Sequence, residues 1–256
     1  RIWTHHFGKG IVPTPNDFGK QGKAPSHPEL LDYLAMHFAE NGWSIKKMHR
    51  LIMLSRTYQL SSAHSGEALS KDASNTLLSS FPRLRLDAES PRDTPLSLGE
   101  SLHLSVPEDH PFPPQESWKF AQHNPFKAVY ETNRRSVYLM TQRIQRHPFL
   151  SIFDGADPSV STPVRGNSTT PLQALFLLND RLVHEQAERF AARIEQGNGN
   201  DRTRITRAYQ LALSRSPSAE EATSAEAFLA SVRNALATDG TAKVEVERET
   251  WRAFAR

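Results

Sequence analysis

The sequence predicts a mainly α-helical fold: a multi-helix domain built on helical hairpins, with a long irregular proline-rich middle and at most a small β element. Three observations predict it. Residues 24–61 read as two amphipathic helices around a glycine turn. Residues 170–236 read as a succession of capped helices. Between them, Pro107, Pro111, Pro113, Pro114 and Pro125 fall among aromatics and charges with no sustained period, which marks an inserted loop.

In chain order, Ile2, Trp3 and Phe7 stand at helical spacing and stop at Gly8 and Gly10, the tail of a helix. A loop rich in special backbone positions follows, with Pro13, Pro15, Asn16, Asp17, Gly19, Gly22 and Pro25. Ser26 with Glu29 suggests a capping box for a helix whose apolar stripe is Leu30, Leu31, Leu34 and Phe38. Gly42 is its left-handed cap, and Trp43 is placed to staple onto Met48. Ser44 caps the second helix, which is expected to bury Ile45, Met48, Leu51, Ile52 and Ser55. A short helix is expected over 75–81, and a further one from 83 to 98 broken by Pro91 and Pro95. Residues 136–141, SVYLMT, are the strand-like run. Residues 147–153 form a short apolar element, and 154–168 are irregular. Thr170, Pro171 and Gln173 open a helix expected to bury Leu172, Leu175, Phe176 and Leu178. Amphipathic helices follow over 182–194 and around Ile205, Ala208, Tyr209 and Ala212. A last capping box, Ser218 with Glu221, precedes Phe228, Leu229, Val232 and Leu236. No fixed-period repeat occurs, which argues against a solenoid. The chain divides into 1–105, the hairpin part; 106–132, the proline-rich insertion; and 133–256, the strand-like run with the C-terminal helices.

Composition narrows the function classes. With 38% apolar and 23% charged residues, the chain can fill a core. A net charge of +3 with the signs interspersed lacks the basic, aromatic-laced face of a nucleic-acid binder, so no nucleic-acid partner is expected. Cysteine is absent, so disulfides, thiolate catalysis and covalent haem attachment within this chain are excluded and no cofactor is expected in it. No apolar run reaches the roughly 18 residues of a membrane span. The start at Arg1-Ile2-Trp3 and the helical pattern still running at Arg256 suggest a piece of a longer chain.

Candidate chemistry lies in three sets. His5, His6, His27 and His49, with Asp17, are the metal candidates, because neutral imidazoles and a carboxylate suit zinc or another first-row ion. No HExxH occurs, and His5 and His6, being adjacent, point apart on a helix. Arg83, Arg85, Arg134, Arg135, Arg143 and Arg165, with Arg92 among them in the same acid-rich stretch, are the anion candidates. Guanidinium forks grip sulfate, phosphate or carboxylate, but they also pair with protein acids and can replace regular structure as scaffold, which is the preferred reading here. Asp154 and Asp157 complete the set: as a carboxylate pair they suit acid and base roles in glycoside cleavage, while Asp157 before Pro158 is also an ordinary turn residue. Neither a GxSxG elbow nor a phosphate-binding glycine loop is present. Trp3, Trp43 and Trp118 can stack on sugars, but core roles account for such residues more often.

Six phrases together resemble a planctomycete-specific C-terminal domain of unknown function: RIWTHHFGKGIVPTPNDFGKQGKAPSHPELLDYLA, GWSIKKMHRLIMLSRTYQLS, FPRLRLDAES, RRSVYLMTQR, FDGADPSVSTPVRGNSTTPLQALFLLND and RAYQLALSRSPSAEE. They span nearly the whole chain. Two departures stand out: the prolines in LDAESPRDTPLSLGESLHLS, where the family usually runs an unbroken helix, and a stop at WRAFAR inside its last helix. The resemblance implies an exported or cell-envelope setting and a large polypeptide with cytochrome-c-like domains nearer its N-terminus. Haem c then belongs to those upstream domains, and the partners are other domains of the same polypeptide. It carries no reaction. The reading is a non-catalytic interaction or assembly module; the competing one is part of an enzyme or binding site for an acidic or sulfated extracellular polysaccharide. An enzyme should gather polar residues of 8–17, 134–143 and 154–165 in a concave pocket. A module should instead show satisfied ion pairs there and an apolar patch elsewhere.

Overall fold

The computed structural model describes residues 1–63, 66–107, 129–143, 146–197 and 199–256. Most of the proline-rich insertion, with Trp118, lies outside them. The chain forms two compact units, Arg1–Arg85 and Leu86–Arg256.

In the first unit, α1 (Ile2–Phe7) and α2 (Pro28–Glu40) pack on α3 (Ile45–Met53), and a short α4 (Gly66–Lys71) follows. Phe7, Met48 and Ile52 make its buried centre, with Trp3, Leu34, Phe38, Tyr58 and Phe81 packed around them. Gly8 ends α1 at φ 72°, a left-handed backbone that favours glycine. The hairpin forms by other means than the capping box: His27 is the N-cap of α2 without a side-chain bond, and Ser26 Oγ instead donates to the Ile11 carbonyl at 3.3 Å. The Trp43 staple is also absent. Gly42 and Trp43 both adopt positive φ, 70° and 58°, which turns the indole outward to 68% exposure, and Ile45 is exposed as well. Residues 75–81 are turns rather than a helix, because Asn75 and Leu78 stand at φ 48° and 53°.

In the second unit, α8 (Arg181–Glu195) is the hub. It contacts α5 (Glu89–Leu98), α7 (Pro171–Asn179), α9 (Asp201–Leu213) and α11 (Lys243–Phe254), while α10 (Ala219–Thr238) packs on α9 and α11. Phe190, Ile194, Ile205, Leu229 and Trp251 form the core, four of them fully buried. A second cluster joins Ala88 to Phe149 and Phe153, on and beside α6 (Pro148–Ile152), with Phe176 packed against it. Local signals start two helices as read, with complete capping boxes at Thr170/Gln173 and Ser218/Glu221; Asn200, accepting from Thr203 N–H, starts a third. α5 runs through both prolines. Pro91 falls in the first turn, where its missing N–H has no intrahelical acceptor, and Pro95 leaves only the Pro91 carbonyl without its partner. The strand-like 136–141 run is not a strand. Residues Ser136–Tyr138 form a single 3-10 turn, and the described residues hold one isolated parallel bridge, His103 to Arg134, in place of a sheet. Among them no helix is long and apolar enough to cross a membrane.

Candidate functional site

The richest gathering of polar groups hangs from α5. Glu89, Arg92 and Asp93, at helical spacing, project from neighbouring positions toward the segment after residue 131. Arg92 is 6% exposed. Its guanidinium donates to the Arg134 carbonyl at 3.0 Å, to Ser136 Oγ at 3.3 Å and to the Thr132 carbonyl. Asp93 lies 3.6 Å from Arg92 and accepts from Ser136 N–H at 2.9 Å and Ser136 Oγ–H at 2.6 Å. Two side chains of one helix thus satisfy, from the side, a backbone that no sheet supports. Burial pushes the Arg92 pKa below its ordinary value, and Asp93 partly restores it. His147, the N-cap of α6, is also buried; burial and then the Arg92 charge hold its pKa down, and its Nδ1 has no hydrogen-bond partner.

The predicted anion residues disperse around this knot. Arg165 forks onto Glu89, one arm at 3.0 Å, so that although burial works against the Glu89 carboxylate, the guanidinium bond holds its pKa below the usual range. Arg146 pairs with Asp157, which also accepts from Ser159 N–H at 2.9 Å. Asp154, at φ 61°, accepts from the N–H and hydroxyl of Ser168 at 2.8 and 2.7 Å, and Gln173 continues the chain of bonds to the Ile152 carbonyl. Both aspartates therefore tie loops together. Arg143 is exposed and contributes its carbonyl to Ser159 Oγ–H; Arg134 buries Nη1 without a partner; Arg135 stands exposed. Arg135 lines a shallow cleft of about 360 Å³ with Val137, Leu102 and the α5 residues Glu89, Ser90, Asp93, Thr94 and Ser97. Arg83 and Arg85, both exposed, end the first unit.

Of the metal candidates, the fold unites two. His6 Nε2 of α1 and His49 Nδ1 of α3 share a proton at 2.7 Å, with Tyr58 edge-on to the His6 ring. Burial, His49 and His5 all lower the His6 pKa, which favours the neutral form of that imidazole. His27 bonds Ser26, Asp17 caps its own turn by accepting from Gly19 N–H, and His5 is exposed. Among the described residues no three His, Cys, Asp or Glu side chains gather to hold a metal.

Sequence reasoning missed His147 and the hydroxyl stripe Ser90, Thr94 and Ser97. The i, i+4, i+7 spacing was the available signal, hidden by reading the prolines as breaks. It also misplaced α7. Gln173 is buried and Phe176 turns inward, whereas Leu172, Leu175 and Leu178 are 57%, 55% and 59% exposed. They form one apolar stripe on the outer side of the helix.

Comparison with known proteins adds one positive finding. No curated protein and no solved structure matches the chain. A family model does match, over residues 1–229, so the chain belongs to the PSD1 family, described as Protein of unknown function (DUF1553).

Proposed function

We propose that this chain is a non-catalytic assembly module of a larger exported polypeptide, docking against another of its domains, with a cytochrome-c-like domain as the expected neighbour. The observation that carries the reading is the leucine stripe of α7. Three large aliphatic side chains stand in solvent on a helix whose opposite side is fixed in the core and whose N-terminus is fully capped. Supporting it, the carboxylates and guanidiniums best suited to chemistry are spent on one another and on loop backbone. The test is hydroxyl-radical footprinting of Leu172, Leu175 and Leu178 in the longer polypeptide against the 256-residue chain alone. Protection in the longer form is expected; equal labelling removes the reading.

One observation favours the second reading, a site for an acidic or sulfated polysaccharide. Arg135 lines the α5 cleft with no ion-pair partner among the described residues, together with the hydroxyl side chains of Ser90, Thr94 and Ser97 and the carboxylates Glu89 and Asp93. A glycan array that shows preference for acidic polymers, lost in Arg135→Ala, would select it.

A further inference from the structure

The overall mixing of charge conceals one stretch of a single sign. Between Glu40 and Glu67 the sequence contains no acidic residue but does contain Lys46, Lys47, Arg50 and Arg56. The first three occupy the solvent side of α3, opposite buried Met48 and Ile52, and none has an ion-pair partner among the described residues. Apolar side chains border them at both ends: Trp43 before the helix and Ile45 at its first position, 68% and 56% exposed, and Leu54 after it, 63% exposed. Trp43 holds φ 58°, a conformation a bulky residue adopts at a cost that glycine would avoid, yet its indole does not repay that cost by burial.

We propose that this face of the helical hairpin docks on an anionic lipid surface. Lys46, Lys47 and Arg50 meet the headgroup phosphates, while Trp43, Ile45 and Leu54 enter the boundary between headgroups and acyl chains. Charge complementarity selects an anionic partner. The exposed indole and aliphatic groups flanking the cations select a bilayer over a soluble polyanion, because only the bilayer offers an apolar layer beneath its charge. The proposal is independent of the α7 stripe, so footprinting there leaves it untouched.

The test is co-sedimentation of the 256-residue chain with vesicles of equimolar phosphatidylcholine and phosphatidylglycerol, and with phosphatidylcholine alone. Binding to the anionic vesicles, weakening as salt rises, is expected. The triple variant Lys46→Ala, Lys47→Ala, Arg50→Ala changes only exposed helix positions and should lose about a hundredfold in partitioning. Trp43→Gly relieves the left-handed backbone, keeps the fold, and should still weaken binding. Three results overturn the proposal: no preference for the anionic vesicles, parental binding by the triple variant, or dextran sulfate bound as tightly as vesicles with Trp43→Gly unaffected.

Discussion

His147 shows how one buried side chain makes the second unit sensitive to acid. It is buried at the start of α6, and the charged group acting on it is Arg92, itself fixed by three acceptors. Protonating the imidazole would place a second cation in a poorly solvated region, so the folded chain holds its pKa below the ordinary 6.5. The unfolded chain therefore takes up a proton first as the pH falls. The stability His147 contributes is complete above about pH 6.5 and declines as the pH drops from there through the lower folded value. His6 in the first unit is shifted in the same direction, so acid sensitivity of the chain alone does not identify its source. The difference does. Urea midpoints measured from pH 7.5 to 5 should fall less steeply in His147→Gln than in the parent, and superimposable slopes would refute the assignment. His147 was legible in the sequence only as a residue before a proline, because its significance comes from an arginine more than fifty positions away.

At the scale of elements, what could be read was what is local. Thr170 with Gln173 and Ser218 with Glu221 form the predicted boxes because both partners lie within one turn, and the Arg215 bond to Glu221, joined by Ser218 N–H, pushes the Glu221 pKa down to about 2. Ser26 is not the cap because the helix starts at Pro28 with His27 at the N-cap position, and both the N–H and the hydroxyl of Ser26 donate to the distant Ile11 carbonyl. For α7 the sequence PLQALFLLN is apolar on nearly every side, so periodicity gives a helix without saying which side faces inward. The side was set by Phe149 and Phe153, against which Phe176 packs at 5.3 and 5.7 Å between ring centres. The arginine–acid scaffold was legible in kind but not in pairing. Its clearest example lies outside the predicted set: Arg233 of α10 forks onto Asp201 of α9 and Glu247 of α11, with bonds of 3.0 and 2.8 Å among them. Arg233→Ala leaves two carboxylates facing each other. Because all three side chains are partly exposed, solvent screens the loss, and a cost of about 1–2 kcal/mol in urea unfolding is expected. Arg233→Lys, which cannot fork onto both acids, should recover only part of it, and full recovery would mean that charge alone, not the planar fork, joins the three helices.

For the whole molecule, each unit carries a core of its own, but the two cores differ in depth. The first has Phe7, Met48 and Ile52 buried and relies on half-buried rings around them, while the second encloses Leu96, Ile194, Ile205, Leu229 and Trp251 completely. Apolar burial is the main favourable term in folding, and a small unit buries a smaller fraction of its surface, so the two should differ in autonomy. A chain of residues 86–256 should fold alone, with helical circular dichroism and a cooperative melt, whereas residues 1–85 alone should melt broadly. The family match stops at residue 229, inside α10, yet Trp251 of α11 is fully buried beside Leu229 and Ile194. A chain of residues 86–229 should therefore lose the cooperative transition that 86–256 keeps, since it opens the core where its largest side chain sits. A cooperative melt for 86–229 would show instead that α8, α9 and the first half of α10 suffice, and that α11 covers a core it does not create.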